Sequence, residues 1–216
     1  MSLSDHARAN RSAWGAMAAD YECAGRRHWA DNEIAWGMWE IPEAQLGSLP
    51  EVDGGDVIEL GCGTAYVSSW LARRGARPVG VDPTTGFAGG ARPEQLATAR
   101  SLQAEHGLDF PLIEGSAEAV PLPDDSFDLA ISEYGASRWC DPEAWIPEAA
   151  RLLRPGVIAL LRRCGPTVEA LHELQAPEGA TSRHTYVTPE WARRWPSAEI
   201  WVARLAGGQE RSSPVA

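Results

Sequence analysis

Val57-Ile-Glu-Leu60 is a short β-branched run that breaks on Gly61 and Gly63, and Val67, Trp70 and Leu71 then mark a helix that stops at Gly75. A strand entering a helix through a glycine turn is half of a βαβ unit, so a second strand must return parallel to the first. The chain repeats the unit. Pro78-Val-Gly-Val81 reads as the second strand, and Pro93 to His106 as a helix with Pro93 near N1 and Gly107 just past its end. Phe110 to Glu114 is a third strand and Phe127 to Ser132 a fourth. Asp141-Pro142 opens a turn, and Pro147 starts a helix through Leu153 that Arg154-Pro155-Gly156 terminates. Near the end, Thr188 caps a short helix with Pro189 at N1, and Glu199 to Ala203 reads as a last strand. Strand–helix units in this order predict an α/β fold with a doubly wound, mainly parallel sheet.

The first 55 residues differ. They are rich in tryptophan, and Trp14, Ala18 and Tyr21 fall on one face of an amphipathic helix leading into the domain. Trp29, Trp36 and Trp39 follow with weaker periodicity, and Asp53-Gly54-Gly55 closes the segment as a turn. The chain of 216 residues is read as one domain: a helical cap over 1–55, a core over 56–156, and a C-terminal sheet edge over 157–216.

Thirty Asp and Glu against nineteen Lys and Arg give a formal charge of −11, a surface that repels nucleic acid and anionic membranes. The partners expected are small molecules. Cys23, Cys62, Cys140 and Cys164 lie 39, 78 and 24 residues apart, neither a metal-binding pair nor a disulfide framework, so no metal is expected. The start lacks an apolar leader core and no run approaches a membrane span. A cytoplasmic setting is the expectation.

The chemistry concentrates in Val57 to Tyr66. A strand running into Gly-x-Gly lets the backbone approach a ligand at the carboxyl end of the sheet, where open α/β sheets bind ligands. Asp82 ends the next strand nineteen residues after Gly63, where a carboxylate can accept from both hydroxyls of a ribose. The pair points to a nucleoside-containing cofactor. A dinucleotide site wants a third glycine where Tyr66 stands, and Glu59 would repel a pyrophosphate. Both departures favour S-adenosylmethionine over a nicotinamide cofactor, though a nicotinamide-dependent oxidoreductase stays as a rival.

Five stretches together resemble the class I S-adenosylmethionine-dependent methyltransferases, in their small-molecule type-11 branch. They are Val57–Tyr66, Val79–Pro83, Gly115–Asp128, Ile131–Trp139 and Glu148–Gly156. The resemblance implies a Rossmann-like methyltransferase sheet under an N-terminal helical cap, and methyl transfer to a small molecule. It implies that Glu59, Gly61, Cys62 (through its backbone) and Gly63 hold the methionine end of the cofactor. Asp82 and Pro83 would hold the ribose. Ser116, Ala117 and Glu118 would frame the adenine, Ser132 would lie beside the sulfonium, and Tyr21 would touch the cofactor from the cap. Glu133 and Tyr134 would stand beside the transferring methyl as the catalytic candidates. Cys62 sits at a helix N-terminus, where a thiolate is favoured. His28, His106, His172 and His184 have no motif around them, while Trp36, Trp39 and Trp139 could line an aromatic acceptor pocket or pack the core.

The family usually has Asp near Ser116, and two further departures from its pattern matter more. Thr84 to Arg92, with three glycines, is inserted after Pro83. After Gly156 one element is missing, so Val157 to Leu161 is either strand five without its crossover helix or the helix without the strand; the position directly after the turn favours the strand. The loss motivates an alternative, a catalytically silent methyltransferase-like protein that binds cofactor or a partner.

Overall fold

The computed structural model describes residues 8, 21–84, 95–154, 167–182, 188–195 and 197–204. Residues 21–30 form helix α1. A small antiparallel hairpin follows, β1 (Ala35–Trp36) and β2 (Ile41–Pro42), with Ala35 opposite Pro42. Helix α2 (Glu43–Leu46) then leads to the main sheet.

That sheet has the order β5-β4-β3-β6 and all its pairings are parallel. Its strands are β3 (Asp56–Leu60), β4 (Arg77–Asp82), β5 (Leu112–Glu114) and β6 (Leu129–Ile131). Helices α3 (Tyr66–Ala72) and α4 (Gln95–His106) make the crossovers β3-to-β4 and β4-to-β5, and α5 (Ala136–Trp139) and α6 (Pro142–Leu152) follow β6. This is the doubly wound Rossmann-like fold expected, and it brings the carboxyl ends of β3, β4, β5 and β6 to one edge. The strand order runs outward from β3 to β5 and then returns to β6 on the other side of β3, so the point beyond Leu60 and Ile131 is the switch point, in whose crevice such sheets bind ligands.

The period-two pattern of β3 sorts its side chains. Ile58 and Leu60 join a core with Val81, Phe127 and Leu152, while Val57 faces Val67, Trp70 and Leu71. Glu59 shares Val57's face and lies against α3. A third core gathers Trp29, Cys62, Leu96, Leu102 and Phe110 under α1 and α4. Each fully buried side chain of the size of Leu71 or Leu102 contributes roughly 1.5–3 kcal/mol.

Two sequence expectations change. Asp141 is not in a turn but the N-cap of α6, its side chain accepting from the Glu143 amide, and the helix begins at Pro142. Pro147 therefore lies inside α6, where its missing N–H removes one helical bond without ending the helix. Among the described residues, β7 (Thr167–Leu174) and β8 (Ala198–Arg204) pair antiparallel with each other. Tryptophans 36 and 39 are buried at 5% and 7% exposure, in the core between the hairpin and β7–β8, while Trp139 is exposed. Helix α7 (Pro189–Ala192) is capped as expected, by Thr188 accepting from the Trp191 amide.

The chain after α6 rises beside β6, with Leu153 bridged parallel to Phe127 and the Arg154 amide donating to the Phe127 carbonyl at 2.8 Å. The strand-or-helix question at 157–164, the insertion beyond Thr84, the N1 role of Pro93 and the Trp14/Ala18 face of the cap all lie outside the described residues. Among the described residues no helix is long and apolar enough to cross a membrane.

Candidate active site

The turn after β3 is held from below by β4 and from above by α1. The amides of Gly61 and Cys62 both donate to the Val81 carbonyl, at 2.8 and 3.0 Å. Gly63 donates its amide to Asp82 Oδ2 at 2.9 Å, so the carboxylate at the end of β4 reaches back and fixes the turn. The other oxygen, Oδ1, accepts from the Thr84 amide at 2.9 Å and from the Thr84 hydroxyl. Gly61 adopts φ +77°, and a Cβ there would lie 2.6 Å from the Ala136 amide nitrogen and 2.7 Å from the Gly135 Cα. Only glycine allows this approach, which locks the β3 turn against the loop after β6. From above, the Trp29 indole donates to the Thr64 carbonyl at 2.8 Å, and Gly25 sits so close to Thr64 that a Cβ would stand 2.7 Å from its hydroxyl oxygen. Helix α1 is thus seated on the glycine turn. Tyr21 belongs to that helix and is 42% exposed.

Glu59 is 1% exposed, and its Oε2 accepts from the Ser68 amide and hydroxyl at 2.9 and 2.5 Å. Ser68 is the third residue of α3, so the carboxyl caps the first turn of that helix across the glycine turn. Burial pushes its pKa up to about 8, with the Glu133 and Asp82 carboxylates adding repulsion and Ser68 offsetting part of it. Cys62 departs from the expectation for a helix N-terminus. Its thiol is buried below the turn beside Gly80, and burial first, then Asp82 and Glu59, raise its pKa well above the ordinary thiol range. It is protonated and inert, a packing side chain.

At the next two strand ends the structure places the remaining residues around the same crevice. Gly115 donates its amide to the Asp82 carbonyl at 3.1 Å, which brings Ser116, Ala117 and Glu118 beside the β4 end. Ser116 closes a turn on itself, its hydroxyl accepting from the Glu118 amide at 3.2 Å and its carbonyl from the Ala119 amide at 3.1 Å. Ala117 is buried in the core, and Glu118 accepts from the Asp141 amide at 3.2 Å. Pro83 follows Asp82 at the end of β4. Ser132 donates to the Leu60 carbonyl at 2.8 Å and accepts from the Ser137 amide at 3.1 Å, fastening the ends of β3 and β6 together.

Glu133 and Tyr134 meet the hairpin. Glu133 Oε1 accepts from the Gly37 amide at 3.2 Å, and its Oε2 from the Tyr66 hydroxyl. Burial holds the carboxyl above the ordinary range, opposed by those two donors. Tyr134 has φ +49°, a conformation that is strained for a bulky residue, and its hydroxyl accepts from the Met38 amide at 3.3 Å. The Arg138 guanidinium lies 5.6 Å from its ring centre. Tyr66 is packed between His28 and Trp70, with ring centres 4.7 and 5.0 Å away. His28 is partly buried, which lowers its pKa, and Arg27 lowers it further.

Tyr66, Gly37 and His28 are participants that motif reading does not find. Tyr66 registered there only as a bulky residue where a glycine could stand. Gly37 contributes a backbone amide, which leaves no trace in residue type, and His28 reaches the site through a helix whose packing is tertiary.

Residues 58–161 match the family model described as a methyltransferase domain. The chain is 34% identical over 105 residues to the chloroplastic 2-methyl-6-phytyl-1,4-hydroquinone methyltransferase 2 of Oryza sativa subsp. japonica, covering 49% of this chain and 28% of that protein. Its other curated relatives above 30% identity are likewise matched over less than half their length. Among solved structures, a chain from the complex containing the Haloferax volcanii Trm112 methyltransferase activator superposes with a TM-score of 0.60 at 20% identity, covering 90% of this chain and 98% of that one. An S-adenosylmethionine-dependent methyltransferase from Mesorhizobium loti gives 0.53 at 20% identity, covering 74% and 95%. These two likenesses establish the fold. In its parallel sheet, its glycine turn and the 104 residues that the family model matches, the core of this chain is similar to a class I methyltransferase domain.

Proposed function

We propose that the protein transfers a methyl group from S-adenosylmethionine to a small molecule. The observation that carries this reading is the glycine turn at the switch point, with the buried carboxyl of Glu59 beneath it and the Asp82 carboxylate bonded to Gly63. The electrostatics suit the cofactor. Glu59 and Glu133 form no ion pair among the described residues, and Glu59 is raised by both Glu133 and Asp82. A cationic ligand would favour the ionised form of these buried carboxyls, whereas a pyrophosphate would be repelled by it.

When bound, the cofactor supplies a methyl group on a sulfonium. In this reading Glu59, Gly61, the Cys62 backbone and Gly63 receive its methionine end, and Asp82 and Pro83 its ribose. Ser116, Ala117 and Glu118 frame the adenine, Tyr21 contributes from α1, and Ser132 holds the β6 end beside the sulfonium. Glu133 and Tyr134 face the acceptor. The displacement is in line, so orientation of the acceptor carries much of the acceleration and no metal is called for. A cytoplasmic location belongs to the same reading.

Calorimetric titration with S-adenosylmethionine and S-adenosylhomocysteine tests it. Micromolar binding is expected, lost in Asp82→Ala and Gly63→Arg variants that remain folded. A cooperatively folded wild type that binds neither ligand sinks the proposal and leaves the silent, methyltransferase-like protein as the better description. That second reading draws on Asp82, whose two oxygens already receive three donors from the turn and Thr84.

A further inference from the structure

We infer that Tyr66 and the Gly37 amide form a two-point clamp that positions Glu133 to take a proton from the methyl acceptor, so that the acceptor atom carries a hydrogen, as in a phenol, an alcohol or an amine. The inference rests on the methyltransferase reading and deepens it. Tyr66 is a positioning residue in this scheme and Glu133 the catalytic one.

The geometry carries the argument. Glu133 stands one residue beyond Ser132, which is tied to the Leu60 carbonyl just before the glycine turn. Its carboxyl therefore sits at the mouth of the crevice between β3 and β6. Each oxygen accepts one bond from a separate element, Oε2 from Tyr66 at the start of α3 and Oε1 from Gly37 at the tip of the β1–β2 hairpin. Two donors on two oxygens fix both position and rotation of the group, yet each oxygen keeps a lone pair for a third partner. A carboxyl that served only to cap backbone amides would have no use for the phenol of Tyr66.

Both clamp donors are themselves held. The Tyr66 ring is wedged between His28 of α1 and Trp70 of α3. Gly37 takes φ +69°, and a Cβ there would lie 3.3 Å from the Leu174 side chain, so the hairpin tip is seated on β7. Two indoles anchor its flanks, Trp36 to Glu43 and Trp39 to Ser197 Oγ at 2.7 Å.

Other ionisable groups face Glu133 from the packed elements. Glu59 on β3 is close enough for mutual repulsion, and Tyr66 on α3 is kept protonated by burial and by Glu133 itself. On its own strand end Tyr134 lies under Arg138 of α5, and His28 of α1 is one ring removed, behind Tyr66. Burial works against the carboxylate while the two clamp donors favour it, and the net effect is a base stronger than an exposed carboxylate.

The step balances within these groups. As the acceptor's X–H bond breaks, its proton passes to the free lone pair of a Glu133 oxygen, and the electron pair of X forms the new bond to the methyl carbon. The pair of the broken carbon–sulfur bond remains on sulfur, leaving a neutral thioether. The proton on Glu133 returns to water when the product leaves.

The test uses the full chain with δ-carboxyl ¹³C-labelled glutamate, and Glu133→Gln assigns the resonance. In Tyr66→Phe the ring packing is kept and the hydroxyl bond lost. The Glu133 titration midpoint is expected to move up by about one pH unit, with calorimetric affinity for S-adenosylmethionine unchanged. In parallel, transfer of labelled methyl is followed on a catechol, a primary amine and a tertiary amine. Transfer to the first two, falling by about 100-fold or more in Glu133→Gln, with its acid limb shifted upward in Tyr66→Phe, supports the proposal. An unmoved midpoint in folded Tyr66→Phe, or equal transfer to the tertiary amine, overturns it while leaving the methyltransferase reading intact. Failure of the wild type to bind S-adenosylmethionine overturns both.

Discussion

On the β4 side of the crevice, the turn from Gly61 to Ala65 is held chiefly from within one βαβ unit, by the Val81 carbonyl and the Asp82 carboxylate. On the β6 side, Glu133 and Tyr134 are met by amides 96 residues earlier in the chain, at a hairpin whose strands are only two residues long. The first region is stiff because its partners are adjacent strands of a continuous sheet. The second depends on how the hairpin, β6 and β7–β8 dock. A region built from local repeats and a region built from distant pieces can vary independently of each other.

The largest effect should separate the two regions at their joint. Gly61→Val places a branched side chain at positive φ and against the backbone of Gly135 and Ala136, where neither side can yield. The expected cost is about 4 kcal/mol, seen as loss of a cooperative denaturation transition, whereas Gly63→Ala meets only the movable end of Gln95 and should cost about 1 kcal/mol. Equal effects at the two glycines would mean that the loop after β6 is not clamped on the turn.

Glu59 gives the next effect, through pH. Its folded pKa near 8 is above the unfolded value of 4.5, so the fold gains from its protonation below pH 4.5 and loses that gain as pH rises through 8. Glu59→Gln should flatten the stability profile across this window by on the order of 3 kcal/mol. A cationic cofactor favours the ionised carboxyl, so S-adenosylmethionine affinity should rise between pH 6 and 8 in the wild type and stay level in the variant. A wild-type affinity that falls with pH would separate Glu59 from the cofactor.

On the hairpin side, Trp39→Phe loses the bond to Ser197 Oγ and should cost about 1 kcal/mol by chemical denaturation. It should also raise hydrogen exchange at the Gly37 and Met38 amides while leaving Gly63 protected, because the two regions are held separately. Arg77→Ala is the smallest change. Its pair with Asp56 is exposed and Arg154 remains as a second partner, so the thermal midpoint should be indistinguishable from wild type.

Much of this contrast was legible beforehand, and the boundary follows the same line. Strands β3 and β4 announce themselves by β-branched runs closed by Gly61 and Asp82, because parallel strands buried on both faces must be apolar, while β5 and β6 are marked by short apolar runs that end at Gly115 and Ser132. Asp141 was misread because an Asp-Pro pair signals a turn and a helix start equally well, and only the following residues' packing decides. A helix N-terminus favours a thiolate, but the turn buries the Cys62 side chain and desolvation outweighs the dipole, which agrees with Cys62 acting through its backbone rather than as a nucleophile.

The sequence by itself determined the order of the strands' chemistry: which carboxyl follows which strand, where glycine is required, and that these groups converge at one sheet edge. Those are local matters of backbone period and turn geometry. The tertiary structure alone decided which partners the carboxyls take, setting Glu59 on Ser68 and Glu133 between Tyr66 and Gly37, and pairing β7 with β8. The reason is physical: a hydrogen bond to a backbone amide or a buried phenol is set by how elements dock, and docking depends on burial summed over many residues rather than on any short run of them.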